Sequence, residues 1–396
     1  MQVARVFLLG RGMLAYARKE TPTEPIPLSR PWFDDQESGR VLRALEGRVA
    51  GDGPFCHKVE ARLAARLGAT HVLLTTSCTH ALELALLALG IGAGDEVVVP
   101  SFSFVSTANA VLRVGGTPVF ADIEERTLGL DPEDVERRLT PRTKAIIPVH
   151  YAGIAAPMEQ LLELASRRKL RTIEDAAQGF DASLSGRPLG TLGDAGCFSF
   201  HETKNVTCGE GGALVLADDE VARRAEIIRE KGTNRSAFLR GEIDKYTWVA
   251  EGSSYVLSDV LAALLDAQLD KADEIARRRA RVAARYRAGL GDWAAVRAVK
   301  LPLEVPGRIS NHHIFFLLFP SAESRDGAVV RIRERGVLAT FHYVPLHSSP
   351  FGRGLGALDL PVTDRVASTL LRLPIHPLLD DAAVDRVIQA VRESVA

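Results

Sequence analysis

Cysteine is scarce in this chain: four in 396 residues, at Cys56, Cys78, Cys197 and Cys208. None forms a C-x-x-C pair, so neither a zinc site nor a disulfide framework is expected, and a reducing, cytoplasmic setting fits. No apolar run approaches the roughly 20 residues of a membrane-spanning helix, so no membrane partner is expected. An excess of either charge is missing too. Lys and Arg number 49 against 50 Asp and Glu, a formal net charge of -1. Such a balance makes no electrostatic case for nucleic acid or an anionic lipid surface. Arginines do crowd between Arg277 and Arg287, but they alternate with alanine and read as a solvated helix face. The histidines at His312-His313, His342 and His347 lack metal-ligand spacing with a matching acid, which argues against a metal site. Gly90-Ile-Gly-Ala-Gly94 follows a helical pattern and precedes a strand, the wrong order for a dinucleotide fingerprint. Internal repeats and low-complexity segments are absent as well.

What is present is an ordinary globular balance, 46% hydrophobic and 25% charged, in a chain long enough for two domains. Met1 to Lys19 bears arginines and no acids, with an apolar patch at Val6 to Leu9 too short for a signal peptide. Residues 1–24 read as an N-terminal extension, with a start at Met13 as another reading and a transit-like peptide as a third. From Gly51 to Glu230 short apolar strands alternate with helices. Strands are expected at 95–100, 117–122, 144–150, 170–174, 196–200 and 212–217. Helices are expected at 105–114, from Asp131-Pro132, and at 157–168. Alternation of this kind predicts a mainly parallel sheet sandwiched by helices. A long alanine-rich helical stretch runs from Ser258 to about Leu290. A smaller α+β unit then follows: a strand at 313–319, a helix at 323–334, a strand near 337–341 and a closing helix from Asp381. The boundaries expected are 25–276 for a large domain and 277–396 for a small one.

The chemistry concentrates around Lys204. It lies between the run Gly196-Cys-Phe-Ser-Phe200 and the glycine cluster Gly209 to Gly212. A lysine against apolar surroundings has a depressed pKa and can form a Schiff base, and glycines let the backbone come close to a flat ligand. Lysine Schiff bases mark enzymes of pyridoxal 5'-phosphate (PLP), which also need an acid at the pyridine nitrogen. Asp175, in Ile173-Glu-Asp-Ala-Ala-Gln178, falls at the C-terminal end of a strand, where open α/β sheets bind ligands. Taken alone, an aspartate there reads first as a helix N-cap acid. Gln178 can donate to the ring hydroxyl. In Thr75-Thr-Ser-Cys-Thr-His80 small hydroxylic residues lead into an apolar helix, whose free N–H groups suit a phosphate. Ser77, Cys78 and Thr79 are the candidates, with Ser199 adding a hydroxyl. Phe104, in Pro100-Ser-Phe-Ser-Phe-Val-Ser-Thr107, is placed to cover a ring. The polar excursion Lys231 to Trp248 carries Asn234, Arg235, Arg240 and Lys245, and its charge suits a nucleotide diphosphate.

In order along the chain, these motifs resemble the DegT/DnrJ/EryC1/StrS family of sugar aminotransferases, from about Ile26 to the C-terminus. The resemblance implies PLP-dependent transferase fold type I, aspartate aminotransferase-like, and PLP as cofactor. It implies Lys204 as the Schiff-base lysine and Asp175 as the acid on the pyridine nitrogen. Gln178 becomes the ring-hydroxyl partner, Ser77, Cys78, Thr79 and Ser199 the phosphate site, and Phe104 the stacking aromatic. Phe200-His-Glu-Thr-Lys-Asn205, Lys231-Gly-Thr-Asn-Arg-Ser236 and Asp244-Lys-Tyr-Thr-Trp248 look most like the dTDP-4-amino-4,6-dideoxyhexose transaminases. By that similarity the partners are dTDP-4-keto-6-deoxyglucose and L-glutamate, and the assembly is a homodimer with shared active sites. Asn234, Arg235, His342 and His347 are the implied substrate-binding residues. The sequence also departs from the family pattern. Ser253 or Ser254 stands where many members have an asparagine reaching the partner's phosphate, and Cys78 replaces a glycine. A C3 aminotransferase and a non-enzymatic ligand sensor of the same fold are the alternative readings.

Overall fold

A computed structural model describes residues 25–356 and 358–395. The N-terminal extension expected over residues 1–24 lies outside the described residues. Seven strands form the central sheet: β1 (His71–Thr75), β2 (Glu96–Pro100), β3 (Thr117–Ala121), β4 (Thr143–Ile146), β5 (Arg171–Asp175), β6 (Ala195–Ser199) and β7 (Gly212–Leu216). Their order across the sheet is β1-β7-β6-β5-β4-β2-β3, and only β7 runs against its neighbours. All five residues of β2, β6 and β7 are buried. Such continuously buried strands belong to a sheet covered on both faces. The helix at Pro132–Arg138 begins as the sequence predicts, with Asp131 accepting from the Glu133 N–H at 3.0 Å and proline at the first position.

Three expectations are corrected. The strand expected over 144–150 ends at Ile146, and the chain then enters a 3₁₀ turn at Tyr151–Gly153. Pro148, lacking an N–H, interrupts the ladder, and only a single bridge from Val149 to Asp175 follows. The stretch 258–290 is two helices, Asp259–Asp270 and Ala272–Val296, broken at Lys271. No strand forms over 337–341. The Ile26 N–H and C=O bond instead to the Gly336 carbonyl (2.8 Å) and the Leu338 N–H (2.9 Å), leaving single bridges at Val337 and Thr340. In the C-terminal part, β8 (Phe315–Leu318) therefore pairs antiparallel with β9 (Leu370–Leu373), a strand not anticipated from the sequence.

A separate apolar core gathers Val282, Tyr286, Leu290, Phe315, Ile332, Leu371 and Val384, and Ile26 from the start of the described chain joins it. Beside it His376 is 2% exposed, and both of its ring nitrogens lack a partner. Burial, with the Arg279 and Arg30 charges, holds its pKa down at about 3. An unfolded histidine takes up its proton near 6.5, so below that pH the unfolded state binds more protons and stability falls with pH. We predict that the melting temperature drops between pH 7 and 5, and drops less in a His376→Leu variant. Equal slopes would refute this. Among the described residues no helix is long and apolar enough to cross a membrane.

Candidate active site

The C-terminal ends of the parallel strands converge on one cavity of about 550 Å³. Strand β5 delivers Asp175 and β6 delivers Ser199 as their last residues. The turn after β1 delivers Ser77, the N-cap of the helix Cys78–Ala88. The Ser77 hydroxyl accepts from the His80 N–H at 3.2 Å, and its carbonyl accepts from the Ala81 N–H. The N–H groups of Cys78 and Thr79 have no acceptor among the described residues. Thr79 Oγ1 donates to Ser106 Oγ (2.8 Å) in the neighbouring helix Val105–Arg113. Gly212 holds this turn in place, because a Cβ there would meet Cys78 N at 2.5 Å. Two free N–H groups at a helix start, ringed by hydroxyls, make an anion cradle.

Lys204 follows β6 in a loop closed by hydrogen bonds from Phe200 N to Gly211 O and from Glu202 N to Gly209 O, both 2.8 Å. Its side chain is half-buried, lines the cavity and has no carboxylate partner among the described residues. Desolvation lowers its pKa, Arg372 adds to that, and Cys78 and Asp175 oppose it. Asp175 is buried. Its Oδ2 accepts from Thr107 Oγ1 (2.8 Å) and its Oδ1 from the Ala177 N–H (3.1 Å). Ser103 Oγ lies 2.8 Å from Thr107 Oγ1 and steadies it. Burial raises the Asp175 pKa against these donors and against Lys204. A turn follows Asp175 rather than a helix, so the helix-cap reading of this residue fails.

Gln178 also lines the cavity. Its Oε1 accepts from the Ala152 N–H (2.7 Å) and its Nε2 donates to the Tyr343 hydroxyl (3.0 Å). Phe104 precedes its helix and is 58% exposed, its ring centroid 6.5 Å from that of Tyr343. His342 reaches the cavity from the C-terminal part of the chain, as does Tyr343.

The structure thus brings together Ser77, Cys78, Thr79, Phe104, Asp175, Gln178, Ser199, Lys204 and His342. Five other candidates lie elsewhere in this chain. His347 is buried against Ser101 Oγ (2.7 Å) and faces Asp364 at 3.5 Å. Asn234 Oδ1 accepts from the Thr247 N–H (2.7 Å). Arg235 lies 3.6 Å from Asp52 and 3.7 Å from Glu230. Ser253 and Ser254 are exposed and tied by their backbones to the 228–231 segment. Sequence reasoning missed Thr107, Tyr343 and Arg372. Thr107 was visible one helical turn after Phe104. Arg372 was visible as the lone charge in Leu370-Leu-Arg-Leu-Pro374. A surface hollow of about 680 Å³ lined by Glu124, Arg126 and Glu133 holds no comparable set of groups.

A model of the DegT/DnrJ/EryC1/StrS aminotransferase family matches residues 32–392. The chain belongs to that family. It is 34% identical over 389 residues to the spore coat polysaccharide biosynthesis protein SpsC of Bacillus subtilis (strain 168), covering 93% of this chain and 97% of that one. It resembles the crystal structure of DesV of S. venezuelae in complex with a ketimine intermediate at 35% identity and TM-score 0.85, covering 94% and 98% of the two chains. Spr1654 of Streptococcus pneumoniae in its PMP form gives TM-score 0.87 at 26% identity, over 93% and 98%. The protein is a PLP-dependent sugar aminotransferase of α/β fold type I. The residues present fit the cofactor: an anion cradle, a buried carboxylate and a lysine with no carboxylate partner among the described residues face the same space.

Proposed function

We propose that this aminotransferase moves the amino group of L-glutamate to C4 of dTDP-4-keto-6-deoxyglucose, giving the 4-amino-4,6-dideoxy sugar nucleotide. The observation that carries the reading is that Lys204, Asp175 and the start of the Cys78–Ala88 helix share one cavity. The similarity of residues 200–205 and 231–248 to transaminases of such sugars supports the choice of substrate.

PLP, when bound, supplies an electron sink for the carbanion left by proton loss. The chain's residues do the rest. The N–H groups of Cys78 and Thr79, with the Ser77 and Ser199 hydroxyls, would hold its phosphate. Asp175, oriented by Thr107, would hold the proton on its pyridine nitrogen. Gln178 has one N–H to spare for its ring hydroxyl, and Phe104 would lie against its ring. Desolvation lowers the pKa of Lys204, so it gives up its proton more readily than a free lysine. It removes the donor's α-proton and later delivers a proton to sugar C4. Product analysis by NMR after incubation with dTDP-4-keto-6-deoxyglucose and glutamate tests the reading. Nitrogen at C4 is expected, and a C3 amine or recovered ketosugar would overturn it.

The assembly in this reading is a cytoplasmic homodimer. Asn234, Arg235, Ser253 and Ser254, remote from their own chain's cavity, serve the partner's site. Exposed Phe238, Tyr246 and Trp248 lie on the same excursion, and a second subunit would cover them. We expect mixed Lys204→Ala and Arg235→Ala proteins to regain activity after subunit exchange, since one site then keeps both residues. Mixed dimers that stay inactive despite proven exchange count against the shared site.

A further inference from the structure

His313 faces the Lys204 cavity and has no part in the transfer described so far. It stands just ahead of β8, is 7% exposed, and its ring lines the cavity. Its neighbours fix where its proton sits. Asn205, the residue after Lys204, donates from Nδ2 to the Asn311 carbonyl at 2.9 Å. A carbonyl oxygen only accepts, so this bond sets which way the Asn205 amide faces. Its Oδ1 is then the atom 3.0 Å from His313 Nδ1. An amide oxygen also only accepts, so Nδ1 carries the ring proton. Asn311 locks the arrangement. Its Nδ2 donates to the carbonyls of Gln178 (2.8 Å) and Phe180 (2.7 Å), and its Oδ1 accepts from the His313 N–H at 3.0 Å. Burial, with the charges of Lys204 and Arg279, holds the pKa of the ring well below its usual value, so it keeps a single proton. A neutral imidazole with its proton on Nδ1 presents a lone pair at Nε2. Among the described residues nothing bonds to that nitrogen, Lys204 Nζ included.

A buried acceptor calls for a donor, and the two substrates differ in what they bring. Apart from the amine that reacts, glutamate carries only carboxylates, which accept and do not donate. The ketosugar carries hydroxyls. Its C4 must meet Lys204. Of the two carbons bonded to C4, C5 bears the ring oxygen and the methyl group, so the hydroxyl nearest the reacting atom is the one on C3. Through Asn205 the His313 ring is tied to the residue next to Lys204, and so to the part of the cavity where C4 must lie. We propose that His313 Nε2 accepts a hydrogen bond from the C3 hydroxyl of the 4-ketosugar and selects sugars that carry it, with Asn205 as the positioning residue that keeps the proton on Nδ1. The inference rests on the substrate proposed above and narrows it from a class of sugar to one substituent.

The experiment measures kcat/KM of the holoenzyme for dTDP-4-keto-6-deoxyglucose and for its 3-deoxy counterpart, with glutamate as donor. Wild type should prefer the hydroxylated sugar by about ten- to hundredfold, the cost of leaving a buried acceptor unpaired. In His313→Leu the preference should collapse to within about threefold through loss on the hydroxylated sugar, while the glutamate half-reaction, followed by cofactor absorbance, keeps its rate within about threefold. His313→Gln, whose side-chain oxygen can reach the place of Nε2, should recover part of the preference, and it stands in if the leucine variant does not fold. Asn205→Leu, which leaves the ring proton free to sit on either nitrogen, should lower the same preference. Wild-type enzyme without a preference, an equal loss on both sugars in His313→Leu, or a loss centred on the glutamate half-reaction would overturn the proposal. The last pattern is the one expected if the ring served Lys204 rather than the sugar. If neither ketosugar is aminated, the substrate reading fails and this inference fails with it. If both are aminated alike, the substrate reading stands and only the role of His313 is lost.

Discussion

Lys204→Ala is expected to retain PLP without a covalent link and to lose turnover by roughly a thousandfold or more, within the range that positioned proton transfer contributes. Two independent functions fall on this one nitrogen in the proposed reaction. It is the attachment point for the cofactor, and it is the base at the donor carbon and the acid at sugar C4. Nothing nearby can replace it. His313 and His342 line the same cavity, but burial and neighbouring cations depress both pKa values, His342 to about 2. Both rings are also engaged, with Asn205 and with Tyr151 and Arg372. Cys78, whose thiol is pushed well up by burial, stays protonated. Retention of cofactor is expected because the Cys78–Thr79 cradle and Asp175 do not depend on Lys204. Steady-state rates and cofactor absorbance after gel filtration check both halves of the claim. Borohydride reduction of the wild type should leave the pyridoxyl mass on the Lys204 peptide. A variant with near-normal turnover, or a label elsewhere, would remove Lys204 from the mechanism.

Asp175→Asn should bind PLP and yet lose activity on the order of a thousandfold, comparable to removing a preorganised electrostatic contact from a buried site. The amide matches the carboxyl in shape and can still accept from either Thr107 Oγ1 or the Ala177 N–H, so the site should keep its form. What it lacks is the charge that keeps the pyridine nitrogen protonated. In the cofactor-free chain, burial raises the Asp175 pKa. A pyridinium beside the carboxylate acts in the opposite direction and favours ionisation. Cofactor binding should therefore release a proton from Asp175 at the acid end of its titration. PLP affinity should weaken more steeply there in the wild type than in Asp175→Asn. Turnover within threefold of wild type in Asp175→Asn, with PLP bound, would show that the carboxylate is not the partner of the ring.

Much of this molecule was legible in the sequence because the signals are local. Alternating apolar strands and helices announced the sheet, and Asp131-Pro132 announced a helix start. Asp175 sits at a strand end because the run Thr172-Ile173-Glu174 must be buried and the next residues turn. Ser77 caps a helix because a hydroxyl preceding an apolar periodic stretch can do little else. Those positions line the proposed cofactor end of the cavity, all of them drawn from the alternating region before Gly212. Tertiary structure alone decided the opposite wall. Whether His342 or His347 faces Lys204 depends on how the 340–347 segment settles against Tyr151, Gln178 and Ser101, which are far away in sequence. The would-be strand at 337–341 is taken up by Ile26 from the other end of the chain. Arg372 occupies an apolar strand pattern, and only the packing of β9 turns its guanidinium toward the cavity. Local periodicity sets backbone form through near neighbours, whereas the facing of single charges is set by long-range pairings that no short window of sequence contains.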